Sequence, residues 1–240
     1  MNHHHADPRP EQRNQLLQGL LRKCPELASS LACEEVKAGT ELYREGGPMT
    51  DVYFPTRGVV SIVVRLRDGS MVDVQTVGTE GMAGVAVSMG IGTSLHTIMQ
   101  QSPGELVRIP APPFIEALRG CEGARRLLGR YAGYSHRFIS QTCVCNTHHS
   151  VKQRLCRWLL TCADRDNSDE LALTQTMLGE MLGVRRQSVN EVLAEMHRGG
   201  AIEQGRSHIS VLDRRQLENC ACECYETMNR LYARLVVPLL

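Results

Sequence analysis

Leu173-Thr-Gln-Thr-Met-Leu-Gly-Glu-Met-Leu-Gly-Val-Arg-Arg-Gln-Ser-Val-Asn-Glu-Val-Leu193 decides how this chain is read. Thr174 offers a hydroxyl that can cap a short helix ending at Leu182. Gly183 stands where that helix needs a left-handed stop. Val184 is apolar and suits the gap between two helices. A second helix is predicted from near Arg186 to about Arg198, closed by Gly199-Gly200. Leu178 and Leu182 on the first helix, and Val189, Val192, Leu193 and Met196 on the second, give each an apolar face. Arg185, Arg186, Gln187, Ser188, Asn190 and Glu191 are left near the open start of the second helix. These residue types read base edges in a major groove, which separates a helix-turn-helix from an ordinary helical hairpin.

Ala201 to Val211 alternates apolar and polar residues around Gly205-Arg206. A short hairpin is predicted there, making the module a winged helix-turn-helix. Arg206, Ser207 and His208 sit at its tip as expected phosphate contacts. Residues 148–240 carry twelve Lys and Arg against twelve Asp and Glu. Positive charge must therefore be local, at Arg185, Arg186, Arg198, Arg206, Arg214 and Arg215, and non-specific affinity modest.

The rest of the chain, 240 residues in all, leaves room for a second domain. Leu16 to Leu31 reads as a helical lead-in. From Glu34 to Pro110 short β-rich runs alternate with Gly39, Gly46, Gly58, Gly69 and Gly78. Asp68-Gly69 between two such runs is a hairpin signal, and a β-roll or jelly roll is predicted. A long helix follows from Gly123. On it Leu127, Tyr131, Tyr134 and Phe138 fall on a heptad seam continued by Gln141, Cys145 and His148. That seam is expected to pair with a second copy of the chain. A hinge is expected between Asn146 and Ser150, and a helix beyond it with Val151, Leu155, Trp158 and Leu159 facing a core. The partition is 1–122 sensory β-roll, 123–147 dimerisation helix and 148–240 winged helix-turn-helix, an α+β fold.

No apolar run is long enough to span a membrane, and Met1 to Gln15 has no signal-peptide pattern, so a cytoplasmic location is expected. His3-His4-His5 is either native or a tag remnant. The 10 cysteines are expected to be free thiols in that compartment. Cys145 and His149 share a helical face, with Cys143 and His148 beside them, while Cys220, Cys222 and Cys224 form a Cys-x-Cys-x-Cys run. Metal binding or thiol redox chemistry are readings for both groups. Buried, cysteine-as-hydrophobe packing is the plainer one, and the run lacks zinc-ribbon spacing.

The order of parts resembles the Crp/Fnr family of bacterial transcription regulators across nearly the whole chain. The words that carry this are Tyr53-Phe-Pro, Gly78-x-Glu80-Gly81, Arg154-Leu-x-Arg-Trp-Leu-Leu and Leu178-Gly-x-Met-Leu-Gly-Val-Arg-Arg-Gln-Ser-Val. Cys222-Glu-Cys-Tyr is similar to the ending of one subgroup whose effector is undefined. The resemblance implies a homodimer, a sensory β-roll and binding to a palindromic DNA operator. RNA polymerase is a further candidate partner. Cyclic-nucleotide-binding members have a Gly-Glu and then an Arg-Ser/Thr pair that neutralises the cyclic phosphate. Gly78, Glu80 and Gly81 are present, but Leu95-His96-Thr97-Ile98 stands where the pair belongs, and no arginine occurs between Arg67 and Arg108. Tight cyclic AMP binding is not expected, because a buried phosphate without its cation costs several kcal/mol. His96 and Thr97 are the only partial substitutes in that stretch. In many relatives the recognition helix starts Ser-Arg-Glu. Here Arg186 matches the guanine reader, while Gln187 favours adenine over cytosine. The clustered N-terminal cysteines of iron–sulfur members are absent, since Cys24 and Cys33 stand alone. A cyclic-nucleotide-responsive regulator is the main alternative. A β-roll ligand-binding protein or metalloenzyme is a weaker one. A cupin needs His-x-His, yet His96 is the only histidine between Glu34 and Pro110, and no Walker loop, nucleophile elbow or HExxH occurs.

Overall fold

In the computed structural model, residues 9–240 are described; the three N-terminal histidines lie outside them. Helices α1 (Pro10–Arg13) and α2 (Gln15–Lys23) lead in. Asn14 between them is fully buried. Its Oδ1 accepts from Leu17 N at 2.8 Å, and its Nδ2 donates to Pro55 O and Gly81 O, each at 2.8 Å. One side chain thus caps α2 and fastens it to the β-domain, and α2 buries Leu16, Leu17 and Leu20 on that side.

The β-domain comprises β1 (Ala32–Val36), β2 (Glu41–Tyr43), β3 (Asp51–Arg57), β4 (Val60–Arg65), β5 (Met71–Val77), β6 (Thr97–Gln100) and β7 (Gly104–Pro110). They form two antiparallel sheets, ordered β1-β7-β3 and β2-β6-β4-β5. This is the expected β-roll. Gly69, at φ 86°, turns the β4–β5 hairpin, and Asp68 Oδ1 accepts from Ser70 N at 2.9 Å.

Helices α3 (Ala111–Gly120), α4 (Glu122–His148) and α5 (Val151–Asp166) follow. Ser150 caps α5 in a reciprocal box with Gln153. The winged module holds α6 (Gln175–Leu182), α7 (Arg186–Arg198) and a small sheet of β8 (Glu170–Leu171), β9 (Ile202–Gln204) and β10 (Ile209–Val211), ordered β8-β10-β9. Helices α8 (Arg214–Cys220) and α9 (Cys224–Leu235) close the chain.

Two expectations need correction. Leu127, Tyr131, Tyr134 and Phe138 are a buried seam, but within one chain. They join the core of the β-domain, and none is more than 4% exposed, so they have no surface left to bury against a second copy. Tyr131 Oη accepts from Met82 N at 3.1 Å, and Tyr134 packs edge-on against Tyr232 of α9. The second correction concerns the C-terminal domain, which does not keep all of residues 148–240. Met228, Leu231, Tyr232, Leu235 and Val236 pack into the β-domain core, and Tyr232 Oη donates to Glu80 O at 2.8 Å.

The winged module also rests on the β-domain. Val59, just ahead of β4, and Val63 of β4 belong to its hydrophobic core, with Met71 and Met99 packed at the edge. Trp158 of α5, buried, donates Nε1–H to Asp73 Oδ2 on β5 at 3.0 Å.

Candidate nucleic-acid interface and hinge thiols

The helix-turn-helix forms for local reasons. Thr174 Oγ1 accepts from Met177 N at 3.2 Å and starts α6. Gly183 at φ 61° stops it, and Gly183 N donates to Glu180 O at 3.0 Å. Gly179 lets the turn close. A Cβ there would lie 3.2 Å from Val184 O. Helix α7 buries Val189, Leu193 and Met196. Arg185, Arg186, Gln187 and Glu191 are exposed at its start. Ser188 is half-buried. Asn190 departs from the expectation, because it is half-buried with Oδ1 shielded from solvent and unpartnered. It points partly into the module rather than outward.

Arg206, Ser207 and His208 are exposed at the tip between β9 and β10. Among the described residues Arg185, Arg186 and Arg206 form no salt bridge, in contrast to Arg214, which Asp164 and Glu218 neutralise. Arg186 reaches only Gln175 Oε1, at 3.4 Å. Thr174, Gln175, Thr176, Arg186, Gln204 and Arg206 line one open concavity of about 760 Å³ between α6, α7 and the wing. Two guanidiniums without an ion pair, Arg186 and Arg206, stand at its rim, which is the electrostatic feature that phosphate contacts use.

The Gly78-x-Glu80-Gly81 motif is occupied by the protein itself. Glu80 is buried and forms an ion pair with buried Arg165 of α5. Arg165 also donates to Tyr134 Oη at 2.5 Å. Burial opposes the Arg165 charge, but Glu80 and Tyr134 outweigh it and hold the guanidinium protonated more firmly than usual. Gly81 meets Tyr131, since a Cβ would lie 2.1 Å from Tyr131 Oη. Glu80 lines a cleft of about 180 Å³ with Gln15, Tyr134, Asp164, Arg165 and Tyr232, which includes neither His96 nor Thr97. His96 is half-exposed, and Thr97 is buried where β6 pairs with Val63 of β4. The five effector-pocket residues expected from the sequence therefore do not converge on this cleft. Nothing in the sequence marked Arg165 as the partner of Glu80.

At the hinge the cysteines sort into two groups. Cys143 and His148 are exposed, and Cys220 is half-buried on the winged-module core. Cys145, Cys222 and Cys224 are buried together, with His149 beside them. Cys145 Sγ lies 3.5 Å from Cys222 Sγ, and Cys224 Sγ lies 3.7 Å from His149 Nδ1. A hydrogen bond from Cys222, with the Arg157 charge assisting against burial, draws the Cys145 thiol down to about 5. The Cys222 thiol is pushed up by the same bond.

A model of the Crp-like helix-turn-helix domain matches residues 153–220, and one of the cyclic nucleotide-binding domain matches residues 33–120. The fold is shared with FixK2 from Bradyrhizobium japonicum, at 17% identity and a TM-score of 0.69, over 80% of this chain and 98% of that one. A transcriptional regulator of the Crp/Fnr family from Eubacterium rectale superposes with a TM-score of 0.65 at 17% identity, over 88% of this chain and 99% of that one. The chain has the architecture of a Crp/Fnr-type DNA-binding transcription regulator. A c-di-GMP responsive global regulator, CLP from Xanthomonas campestris, shares the fold at 15% identity and a TM-score of 0.57, over 81% of this chain and 98% of that one. No curated protein matches the sequence. Among the described residues no helix is long and apolar enough to cross a membrane.

Proposed function

We propose that this regulator binds a palindromic DNA operator as a homodimer, with α7 in the major groove and the wing on the phosphates. The observation that carries this is the pair of arginines without an ion pair, Arg186 and Arg206, that line one concavity, with Arg185 exposed next to Arg186 in the chain. Arg186 is assigned to a guanine, and Gln187 to an adenine edge. Binding-site selection tests the assignment. Arg186→Ala should cost about 1–3 kcal/mol per half-site and relax one position. Arg206→Ala should weaken all sequences alike and lower the salt slope. An unchanged selected motif for Arg186→Ala, with an altered one for Arg206→Ala, would overturn the placement of α7.

The helix-pair surface is assigned to the outer face of α4. Arg126, Gly129, Gly133, Ser140, Cys143 and Thr147 recur there at heptad intervals, opposite the buried seam. A Cβ added at Gly129 or Gly133 meets nothing within 4 Å, so a second backbone has room to approach. Effector binding is assigned to the β-roll. It would reach the DNA-binding module through the docked α6, where Gly183 abuts Val72 of β5, and through Asp73–Trp158.

A further inference from the structure

Two parts of the chain that the DNA-binding reading does not use meet at the α4–α5 hinge. Cys145 comes from the last turn of α4, His149 from the residue that caps it, and Cys222 and Cys224 from the α8–α9 junction. Their four ligand atoms all lie within 4.8 Å of one another. We propose that Cys145, His149, Cys222 and Cys224 form a closed Cys3His site for one zinc ion, which pins the start of α9 to the hinge.

The spacing fits a mononuclear tetrahedral ion. Zinc–sulfur bonds of about 2.3 Å and zinc–nitrogen bonds of about 2.0 Å place sulfurs roughly 3.8 Å apart, and sulfur and nitrogen roughly 3.5 Å apart. The separations here are 3.5 Å for Cys145 and Cys222 and 3.7 Å for Cys224 and His149. A disulfide would bring its sulfurs to about 2.05 Å. An iron–sulfur cluster spreads its ligands over several irons and needs a wider set.

The surroundings are those of a ligand set rather than of apolar packing. His149 presents Nδ1 to the sulfurs and holds Nε2 3.2 Å from Glu223 Oε2. A carboxylate behind an imidazole fixes the tautomer that leaves the other nitrogen free to ligate. Gln141 Nε2 donates to Cys224 Sγ at 2.9 Å, as amides do to metal-bound thiolates. Three thiolates and one imidazole on zinc carry a net single negative charge. The charges of Arg157 and Arg154 act on this cluster, and the Nε of each is buried with no partner. On binding, each thiol still protonated releases its proton to solvent, and no bond is oxidised or reduced. The filled coordination sphere leaves no open position, so the role is structural.

The test uses the full chain purified under reducing conditions, with metal measured by mass spectrometry of the elements. One zinc per chain is expected. Cobalt added to chelator-treated protein should give thiolate charge-transfer bands and the visible bands of a tetrahedral site. Cys145→Ser and Cys222→Ser should lose zinc at least tenfold, while Cys143→Ser and Cys220→Ser keep it. Glu223→Gln leaves the ligands in place and should weaken zinc binding about 10–100-fold with the fold intact. The proposal is overturned by a reduced, folded chain that holds no zinc and gives no cobalt–thiolate bands. Full occupancy in Cys222→Ser, or iron or copper in place of zinc, overturns it equally. Metal content is read without DNA, so failure here leaves the DNA-binding reading standing.

Discussion

Replacing Arg165 with methionine should be the most damaging single change at the joint between the two domains. Arg165 and Glu80 are 8% and 7% exposed, so neither charge is hydrated when the other is removed. At an effective dielectric near 20, two charges about 3 Å apart attract by roughly 5–6 kcal/mol, much of it offset by their desolvation. Removing only the cation leaves that desolvation uncompensated, which costs about 3–5 kcal/mol. The bond to Tyr134 Oη adds about 1 kcal/mol. Contacts of the guanidinium over the Tyr134 and Phe138 rings, at 5.9 and 5.8 Å, add a smaller amount that methionine partly retains. The assay is urea unfolding of the parent, Arg165→Met, Glu80→Gln and the double variant. The double variant carries no charge at either position of the pair and should recover most of the loss, giving an interaction energy above about 2 kcal/mol. A loss under about 1 kcal/mol for Arg165→Met, or strictly additive losses, would refute the reasoning. The pair would then be solvated in solution, and the DNA-binding module not held to Glu80.

Three further outcomes are expected. Burial raises the Asp73 pKa above its ordinary value of 3.8, so the folded chain keeps a proton that the unfolded chain has released. Stability should therefore fall as pH rises from 3.8 toward the folded value, by at most ~1.4 kcal/mol per pH unit. Asp73→Asn should remove that decline; equal pH slopes in denaturant titrations would count against it. Gly129→Leu with Gly133→Leu should disrupt dimers in sedimentation while leaving thermal unfolding of the protomer nearly unchanged, because both sites face open space. A dimer that survives both changes places the interface elsewhere. Calorimetry should find no micromolar cyclic AMP binding, since Glu80 is already paired with Arg165 and residues 68–107 supply no arginine or lysine for the phosphate. Tight binding would require Arg65, Arg67 or Arg108 to move into the pocket.

What could be read from the sequence was what is decided within about twenty residues. Thr174, Gly183 and the apolar spacing from Leu178 to Met196 set the helix-turn-helix locally, and Asp68-Gly69 set the β4–β5 turn. Periodicity located the buried face of α4 but could not say what buries it. Leu127, Tyr131, Tyr134 and Phe138 have the spacing of a helix pair, yet their partners are β-domain residues and the returning α9. The hinge cluster was half visible, as Cys145 and His149 one turn apart. The other half depended on a fold that returns Cys222 across 77 positions to Cys145.

Glu80 makes the sharper case. Gly78, Glu80 and Gly81 read as remnants of a phosphate cassette, and local sequence offered no other use for them. Glu80 is paired with Arg165, which within α5 looks like any solvated charge in a last helical turn. Gly78 is needed because a Cβ would fall 2.3 Å from Arg165 O, and Gly81 because one would fall 2.1 Å from Tyr131 Oη. Close approach of α5 and α4 therefore accounts for both glycines and for the acid, with no ligand required. Substituting alanine at either glycine should then force α4 or α5 off the β-domain in the absence of any nucleotide. A ligand-only role would instead leave the unliganded fold unchanged.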